Sequence, residues 1–163
     1  MDLFDIRGGN ITRENAALTG LSGTAKTISY TGNPEFAIGG RLYAGDSCSG
    51  GALETTDGTT GEAFVPLANG ETCLFVFSWT ADGAWHVHQG PVVLTADVVD
   101  ESAALEFPSI PDTHVPFAYV SILHANATPF LFGTGNWDQT GVTVGTVINC
   151  ALLPTQPLTA QSA

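Results

Sequence analysis

The sequence predicts an all-β protein, either an antiparallel β-sandwich or a jelly-roll-like barrel with short strands and a polar N-terminal arm. Its dominant hydrophobic period is about two residues, as in a half-buried strand, and not the roughly 3.6 residues of a helix. The expected strands are rich in β-branched and aromatic residues. They span Lys26–Tyr30, Phe36–Tyr43, Glu62–Leu67, Thr72–Trp79, Ala84–Gln89, Phe117–Leu123, Thr128–Phe132 and Val142–Ile148.

Turn-forming clusters separate these segments and support the same fold class. They include Asp57-Gly58, Asn69-Gly70 and Asp82-Gly83, pairs that readily take the backbone angles of tight turns. Helix signals are weak, since the two best candidates, Thr12–Leu18 and Asp97–Leu105, are both short. Short strands at this spacing are typical of sandwiches and barrels.

The length of 163 residues suits one sizeable core, which predicts a single domain over residues 21–163. Residues 1–20 are polar, lack the strand pattern and hold Arg7 and Arg13, which predicts an N-terminal arm. Such an arm either orders on a partner or remains disordered. The chain start lacks the features of a secretory signal, and no apolar run reaches about eighteen residues, which predicts a soluble protein made in a cytoplasm.

Charge is distributed unevenly along the chain. All four basic residues, Arg7, Arg13, Lys26 and Arg41, lie in the first 41 positions, whereas acids continue throughout and the formal net charge is −12. Binding to nucleic acid draws much of its strength from Lys and Arg contacts with phosphates. The acidic balance therefore argues against a nucleic-acid partner.

Two of the four histidines, His86 and His88, lie two residues apart in AWHVHQG. The Asp82-Gly83 pair before them predicts a hairpin, and alternation on its second strand places Trp85 and Val87 on one face and both histidines on the other. If Trp85 and Val87 face the core, the histidines face solvent or a subunit interface. In an interface, protonation near pH 6.5 would weaken assembly, because neighbouring imidazolium groups repel.

His86 and His88 are weak candidates for a metal site. A zinc or iron site needs a further protein ligand, from His114, His124, an acid or a cysteine, and no metal-binding motif accompanies the pair. No nucleophile elbow and no phosphate-binding glycine loop is present either. The sequence therefore predicts no cofactor, no catalytic residues and no enzymatic activity.

The cysteines Cys48, Cys73 and Cys150 match no zinc or redox spacing. Reduced thiols, with Cys73 and Cys150 in the core, are the expected state in a cytoplasm. The alternative is a disulfide between Cys48 and Cys73 that forms after release into an oxidising medium.

The order of several short segments is more informative than any single motif. The glycine-bearing strand FAIGGRLYAG precedes the turn TTDGTTGEAFVPL, the strand ANGETCLFVFSW and a hairpin that ends in HQGP. FPSIPDTHVPFAYVSI, PFLFGTGNWDQTGVTVGTVIN and LLPTQPL complete the succession. In this order, residues 24–158 resemble a group of tailed-bacteriophage virion proteins that includes head-decoration (cement) proteins and head- or tail-fibre components.

That resemblance implies a structural protein, in the first place a head-decoration protein that binds the outer capsid surface and stabilises the shell. The expected partners are the major capsid protein and further copies of the chain, arranged as a homotrimer about local threefold axes. The arm with Arg7 and Arg13 is the expected capsid contact, and neither nucleic acid nor a membrane is an expected partner. The protein would be made in the host cytoplasm and reside on the virion.

The aromatic residues support a second hypothesis, a fibre or carbohydrate-binding module that recognises a host-surface glycan. Trp137 is its best candidate for sugar stacking, because it lies in the turn Gly135-Asn136-Trp137-Asp138 among polar neighbours. Packing in the core or at a subunit interface is the alternative for Trp137. A cupin-like oxygenase, with an H-x-H pair on a β-barrel, is the third and weakest hypothesis.

Overall fold

A computed structural model describes residues 10–13, 15–31 and 33–153, and its architecture confirms the all-β sandwich. The strands are β1 (Ile11–Thr12), β2 (Thr27–Tyr30), β3 (Glu35–Ile38), β4 (Arg41–Ala44), β5 (Cys48–Ala52), β6 (Glu71–Thr80), β7 (Trp85–Gln89), β8 (Val93–Leu94), β9 (His114–His124), β10 (Val142–Val144) and β11 (Ile148–Asn149). Within the described residues one short helix, α1 (Thr95–Val99), accompanies them. None of the described helical segments is long and apolar enough to cross a membrane.

The long strands β6 and β9 form the centre of a sheet with the order β10-β9-β6-β7, all antiparallel. β8 also pairs with β6, and β11 with β9. The Asp82-Gly83 hairpin is confirmed, because Trp79 pairs with Trp85 on either side of it and Gly83 has a φ of 82°. A β-bulge between Phe77 and Ser78 shifts the β6–β9 register, and this shift changes which β9 residues share a face.

One face of the central sheet packs against two smaller sheets, β1-β3-β4 and β2-β5. Trp79 is the centre of this aromatic face, with its ring 3.9 Å from Phe117, 5.4 Å from Phe36 and 5.6 Å from Tyr30, centroid to centroid. Phe36 and Tyr30 come from the smaller sheets, so their contacts with Trp79 hold the layers of the sandwich together. Truncating a buried tryptophan of this kind typically costs about 3–5 kcal/mol.

The opposite face of the central sheet is buried as well. Leu74, Val76 and Tyr119 form a second apolar cluster there, covered by the segment around Phe107 and Ile110. Burial on both faces explains why β6 is a nearly continuous apolar run instead of an alternating one.

Several predicted strands are corrected in their extent. Phe36–Tyr43 is not one strand but the hairpin β3–β4, because Gly39 and Gly40 take φ angles of 56° and 77° and form its turn. The predicted strands Glu62–Leu67 and Thr128–Phe132 are reduced to isolated bridges, including one between Leu67 and Phe130. The region predicted as one strand at Val142–Ile148 contains β10 and the start of β11. The weak helix candidate at 12–18 is not helical in the residues described there, and α1 overlaps the second weak candidate at residues 97–99.

The predicted boundary of the N-terminal arm is also corrected. Described residues from Asn10 onward already belong to the domain, since β1 pairs with β3 and Ala16 and Leu18 are buried in the core. The apolar residues of this stretch are too few to form a recognisable strand pattern in the sequence. They nevertheless pack into the core, because β3 pairs with β1 beside them. Arg13 in this stretch is exposed and forms an ion pair with Glu35 at 3.0 Å. Residues 1–9, with Arg7, lie outside the described residues.

Candidate functional site

Three histidines meet on the second face of the central sheet, next to the apolar cluster there. His86 and His88 come from β7 and His114 from the start of β9, while Ser78 of β6 lies between the two strands. The ring of His114 is 5.1 Å from that of His86 and 5.1 Å from that of His88, centroid to centroid. These four side chains are called the histidine cluster below.

Hydrogen bonds fix the protons within this cluster. The Thr59 hydroxyl donates to the Ser109 carbonyl at 2.7 Å, so at its 2.8 Å contact with His88 it must accept from Nδ1–H. Nε2 of neutral His88 then accepts from the Ser78 hydroxyl at 2.6 Å, and Ser78 in turn accepts from Nδ1–H of His114 at 3.0 Å. A continuous chain of donors therefore runs from His114 to Ser109, and every member is satisfied while the imidazoles are neutral.

Burial keeps the imidazoles of His88 and His114 neutral. His88 is 0% exposed, and loss of hydration together with the neighbouring His114 lowers its pKa to about 4, although Asp57 acts in the opposite direction. The pKa of His114 is lowered as well, first by burial and then by His86. The expectation that both histidines face solvent is therefore wrong for His88. Alternation on β7 is as predicted, but the face opposite Trp85 and Val87 is covered by other segments of the chain.

The histidine cluster does not have the arrangement of a metal site. Among the described residues, no group of three His, Cys, Asp or Glu side chains is placed to hold a metal ion. Of the predicted further ligands, His114 does join the pair, whereas His124 lies at the other end of β9, opposite Glu71. Both ring nitrogens of His88 are already engaged with hydroxyl groups, which is the chemistry of a structural network.

Ser78 and His88 also have the hydrogen-bond pattern of a nucleophile and its base, with Thr59 orienting the imidazole. The Ser78 hydroxyl, however, is fully buried beneath the segments that cover the sheet. A substrate carbonyl has no access to it in this structure, so the geometry gives no support to acyl-transfer chemistry.

A covering segment, residues 54–62, closes the outer edge of β7. The Glu54 carboxylate accepts from the Val87 backbone N–H at 2.9 Å and contacts Nδ1 of His86 at 2.9 Å, while Asp57 accepts from the Gln89 backbone N–H at 2.6 Å. The Gly58 N–H donates to the Val87 carbonyl at 2.7 Å. β7 is the end strand in the sheet order, so these contacts occupy groups that would otherwise be free to pair with another chain.

Gly58 allows the covering segment to approach this closely. A Cβ added at this position would lie 2.9 Å from His86 Cβ and 2.9 Å from His88 Cε1. Asp57 shapes the turn that presents Gly58, because its Oδ1 accepts from the backbone N–H groups of Thr59 and Thr60. The predicted Asp57-Gly58 turn is thus confirmed, together with a packing role that the sequence pattern did not indicate.

Beside the covering segment lies an open cleft of about 720 Å³. Its wall is largely apolar and includes Val65, Val92, Phe107 and Pro108. A volume of this size is in the range of ordinary ligand sites.

Three polar side chains of the cleft, those of Asp57, Thr59 and Gln89, already hold hydrogen bonds within the protein. Both Asp57 oxygens accept backbone N–H groups, and the Gln89 amide exchanges hydrogen bonds with the backbone of Val65 at 2.7 and 2.9 Å. The Thr59 hydroxyl is engaged with Ser109 and His88. An occupant of the cleft would therefore be recognised mainly through apolar contact.

Trp137 does not offer a platform for sugar stacking. It is 4% exposed, and its ring packs 5.5 Å from Phe130 and 5.5 Å from Phe132, centroid to centroid. The interpretation of Trp137 as a glycan contact is thereby corrected in favour of core packing. Its position in a turn suggested exposure, but that turn folds back onto the aromatic face of the sheet.

All three cysteines are free thiols. Cys73 is buried on β6, and burial raises its pKa to about 12, while burial of Cys150 raises its pKa to about 11. Both thiols are therefore protonated and unreactive near neutral pH.

Comparisons of the chain with protein-family models, with curated proteins and with solved structures find no match. The candidate site therefore depends on the geometry alone. Sequence reasoning found His86 and His88 and named His114 as a further ligand candidate, but it missed Ser78, Thr59 and Glu54. These three are ordinary residue types without motif spacing, and only the fold brings them to the imidazoles.

Proposed function

We propose that the protein is a structural component of a tailed-phage virion, namely a head-decoration protein that binds the outer capsid surface. The observation that carries the proposal is the order of segments over residues 24–158. The described parts of that succession form successive pieces of one sandwich, from the β3–β4 hairpin through the β6–β7 hairpin to β9 and the strands that pair with it. The described segments that carry the resemblance thus belong to one connected β framework.

The surface of this framework suits a location outside a DNA-filled shell. A net charge of −12 repels the phosphate backbone, so the protein would not be captured by the genome. The carboxylates of Glu54 and Asp57 block the outer edge of β7, which limits uncontrolled strand pairing between copies. Both features favour a protein that stays folded and dispersed until it meets a specific surface.

The proposed partners are the major capsid protein and two further copies of the chain in a homotrimer. Several large apolar side chains are exposed and available for such contacts: Leu42, Val65, Leu94, Val99 and Leu152. Arg13 is exposed as well and remains part of the proposed capsid contact, as does Arg7. Repeated use of one patch about a threefold axis would multiply a weak contact into stable attachment.

The rival hypothesis of a glycan-binding fibre module receives less support from the geometry. Its main candidate, Trp137, is packed in the core, and the side chains of Asp57, Thr59 and Gln89 in the cleft are occupied by internal hydrogen bonds. Sugar sites usually combine an exposed aromatic ring with free polar groups that converge on the ligand.

Cryo-electron microscopy of virions from the source phage tests the proposal directly. Density for this chain in many copies over the capsid lattice is the expected result. Density at the tail tip alone would favour host recognition instead, and absence from the particle would overturn the virion role.

A further inference from the structure

The covering segment, residues 54–62, is attached to β7 almost entirely through polar contacts. Its sequence, ETTDGTTGE, holds only Glu, Thr, Asp and Gly. The residues that flank it, Leu53 and Phe64, are by contrast buried in the core, at 7% and 2% exposure. Because apolar burial contributes little within the segment, it can separate from β7 between two fixed ends while the sandwich stays folded.

Internal hydrogen bonds give the segment a shape of its own. Thr56 forms a β-bridge with Ala63, and the Asp57 backbone N–H donates to the Glu62 carbonyl at 2.8 Å. The Gly61 N–H donates to the Asp57 carbonyl at 2.7 Å. None of these bonds involves β7, so the segment can move as one unit without losing them.

His88 is the point where the segment meets the buried network. Its Nδ1–H donates to Thr59 at 2.8 Å, and a Cβ added at Gly58 would lie 2.9 Å from Cε1 of the ring. The segment therefore lies directly against an imidazole that is 0% exposed. Lifting the segment is a direct way for water to reach that ring.

The closed arrangement does not accommodate a proton on Nε2 of His88. Nε2 accepts from the Ser78 hydroxyl at 2.6 Å, and Ser78 in turn accepts from His114 at 3.0 Å. A second proton on the ring would set two donors against each other, and the Ser78 hydrogen would lose its acceptor. The new charge would also lack hydration, which is costly in a buried site.

Charged groups reach this site from every element packed around it: Glu54 and Asp57 from the covering segment, His86 from β7, His114 from β9 and Asp82 from the turn before β7. Burial, His114 and His86 disfavour the imidazolium form of His88, whereas Asp57 favours it. The first group of effects prevails, since the pKa of His88 is lowered to about 4.

We propose that residues 54–62 form an acid-released latch, in which protonation of His88 lifts the segment as one unit and uncovers the outer edge of β7. Lifting hydrates the imidazolium and frees the Val87 N–H and C=O and the Gln89 N–H, which the segment holds in the closed form. A strand edge freed in this way can pair with an extended segment of another chain. The proposal does not depend on the virion role.

The direction and size of the effect follow from the two states of His88. Its pKa is about 4 in the closed form and takes the ordinary value of about 6.5 once the ring is hydrated, so the open form binds the proton first as the pH falls. The equilibrium constant for opening should therefore rise about thirtyfold between pH 7.5 and pH 5.

Native-state hydrogen exchange, followed by NMR at pH 7.5 and pH 5, tests the latch. Opening constants are obtained from the protection of each amide after correction for its intrinsic exchange rate at that pH. For Val87 and Gln89 they should exceed those of the amides between β6 and β9 and should show the thirtyfold rise. The Gly61 amide should not share this rise, because its acceptor moves with it.

Three results would overturn the proposal. Equal opening constants for β7 and for the β6–β9 pair would mean that only global unfolding exposes the edge. Opening constants of Val87 and Gln89 that do not change with pH would exclude release by acid. A parallel rise at Gly61 would show that the segment unravels and does not lift as a unit.

Two substitutions on β7 identify the group that responds to acid. His88→Gln does not titrate and should abolish the rise, whereas His86→Gln, two positions away and also in contact with the segment through Glu54, should retain it. A rise that persists in His88→Gln, or is lost in His86→Gln alone, would contradict the assignment to His88. Circular dichroism verifies that each variant is folded, and the wild-type exchange data decide the matter if one is not.

Discussion

The two faces of the central sheet differ in chemistry, as two neighbouring residues of β6, Ser78 and Trp79, show. On the aromatic face, Trp79 is buried among carbon atoms and stacks on Phe117. On the other face, Ser78 is buried to the same degree but lies between two imidazoles. The first face is stabilised by apolar contact, which does not depend on pH. The second depends on hydrogen bonds that the neutral imidazoles of His88 and His114 form with the hydroxyls of Ser78 and Thr59, so its stability should depend on pH.

The largest effect is expected on the aromatic face. Trp79→Ala should lower the free energy of unfolding by about 3–5 kcal/mol, because it removes a fully buried ring between the layers. The loss should be nearly the same at pH 5 and pH 7.5. Urea denaturation at both pH values measures it. A loss below about 1 kcal/mol would contradict the place of Trp79 at the centre of the core.

Acid should destabilise the second face, which carries the histidine cluster, by somewhat less than the loss expected for Trp79→Ala. The pKa of His88 is about 4 in the folded protein against about 6.5 when unfolded, so the unfolded chain binds the proton first as the pH falls. This contribution to stability is complete above about pH 6.5 and is lost progressively down to about pH 4, amounting to about 3 kcal/mol. The lowered pKa of His114 acts in the same direction.

Denaturation across pH 4 to 8 for the wild type and His88→Gln measures this loss. The variant should be less stable at pH 7.5 but should lose less stability on acidification, since glutamine does not titrate. Equal pH slopes for the two proteins would assign the acid sensitivity to other groups.

Gly58→Ala tests how tightly the covering segment packs on the histidines. The added methyl group would approach His86 and His88 at 2.9 Å, so the segment must shift, and a cost of about 1–3 kcal/mol is expected. Hydrogen exchange at the Val87 and Gln89 amides should accelerate, because their acceptors belong to that segment. Gly61→Ala is a useful comparison for the methyl contact, because open space surrounds Gly61, although its positive φ of 73° adds a backbone cost. Unchanged exchange in Gly58→Ala would contradict the close contact.

The smallest effect is expected at a site outside both faces. Arg13→Ala removes an ion pair with Glu35 whose side chains are 56% and 46% exposed, so we expect a change below about 0.5 kcal/mol. Added salt should reduce even that difference. Thermal melts at low and high ionic strength provide the measurement, and a loss above about 1 kcal/mol would show that Arg13 has a larger role in the fold.

The sequence correctly predicted those features that depend only on residues adjacent in the chain. The Asp82-Gly83 turn and the alternation on β7 follow from local backbone preferences, and both are present. The β3–β4 hairpin was missed because two glycines inside an otherwise regular apolar stretch resemble a strand, although their positive φ angles make a turn.

Burial of the second face could not be predicted in the same way. His88 is covered by Thr59, 29 positions earlier in the chain, and the third imidazole, that of His114, joins through Ser78 across 36 positions. Alternation shows which side chains share a face but not which distant segment covers that face. Trp137 shows a related limit at short range, since its burial depends on a polar turn that returns its ring to Phe130 and Phe132, seven and five positions earlier.

The most direct measurement for the histidine cluster on the second face is an NMR titration of the imidazole nitrogens of His88. We expect the Nδ1–H tautomer, neutral at pH 7, with no protonation until the pH approaches about 4. That result would establish the buried neutral network beneath the covering segment. Titration near pH 6.5, with rapid exchange between tautomers, would show that His88 is exposed to solvent and would contradict this description of the second face.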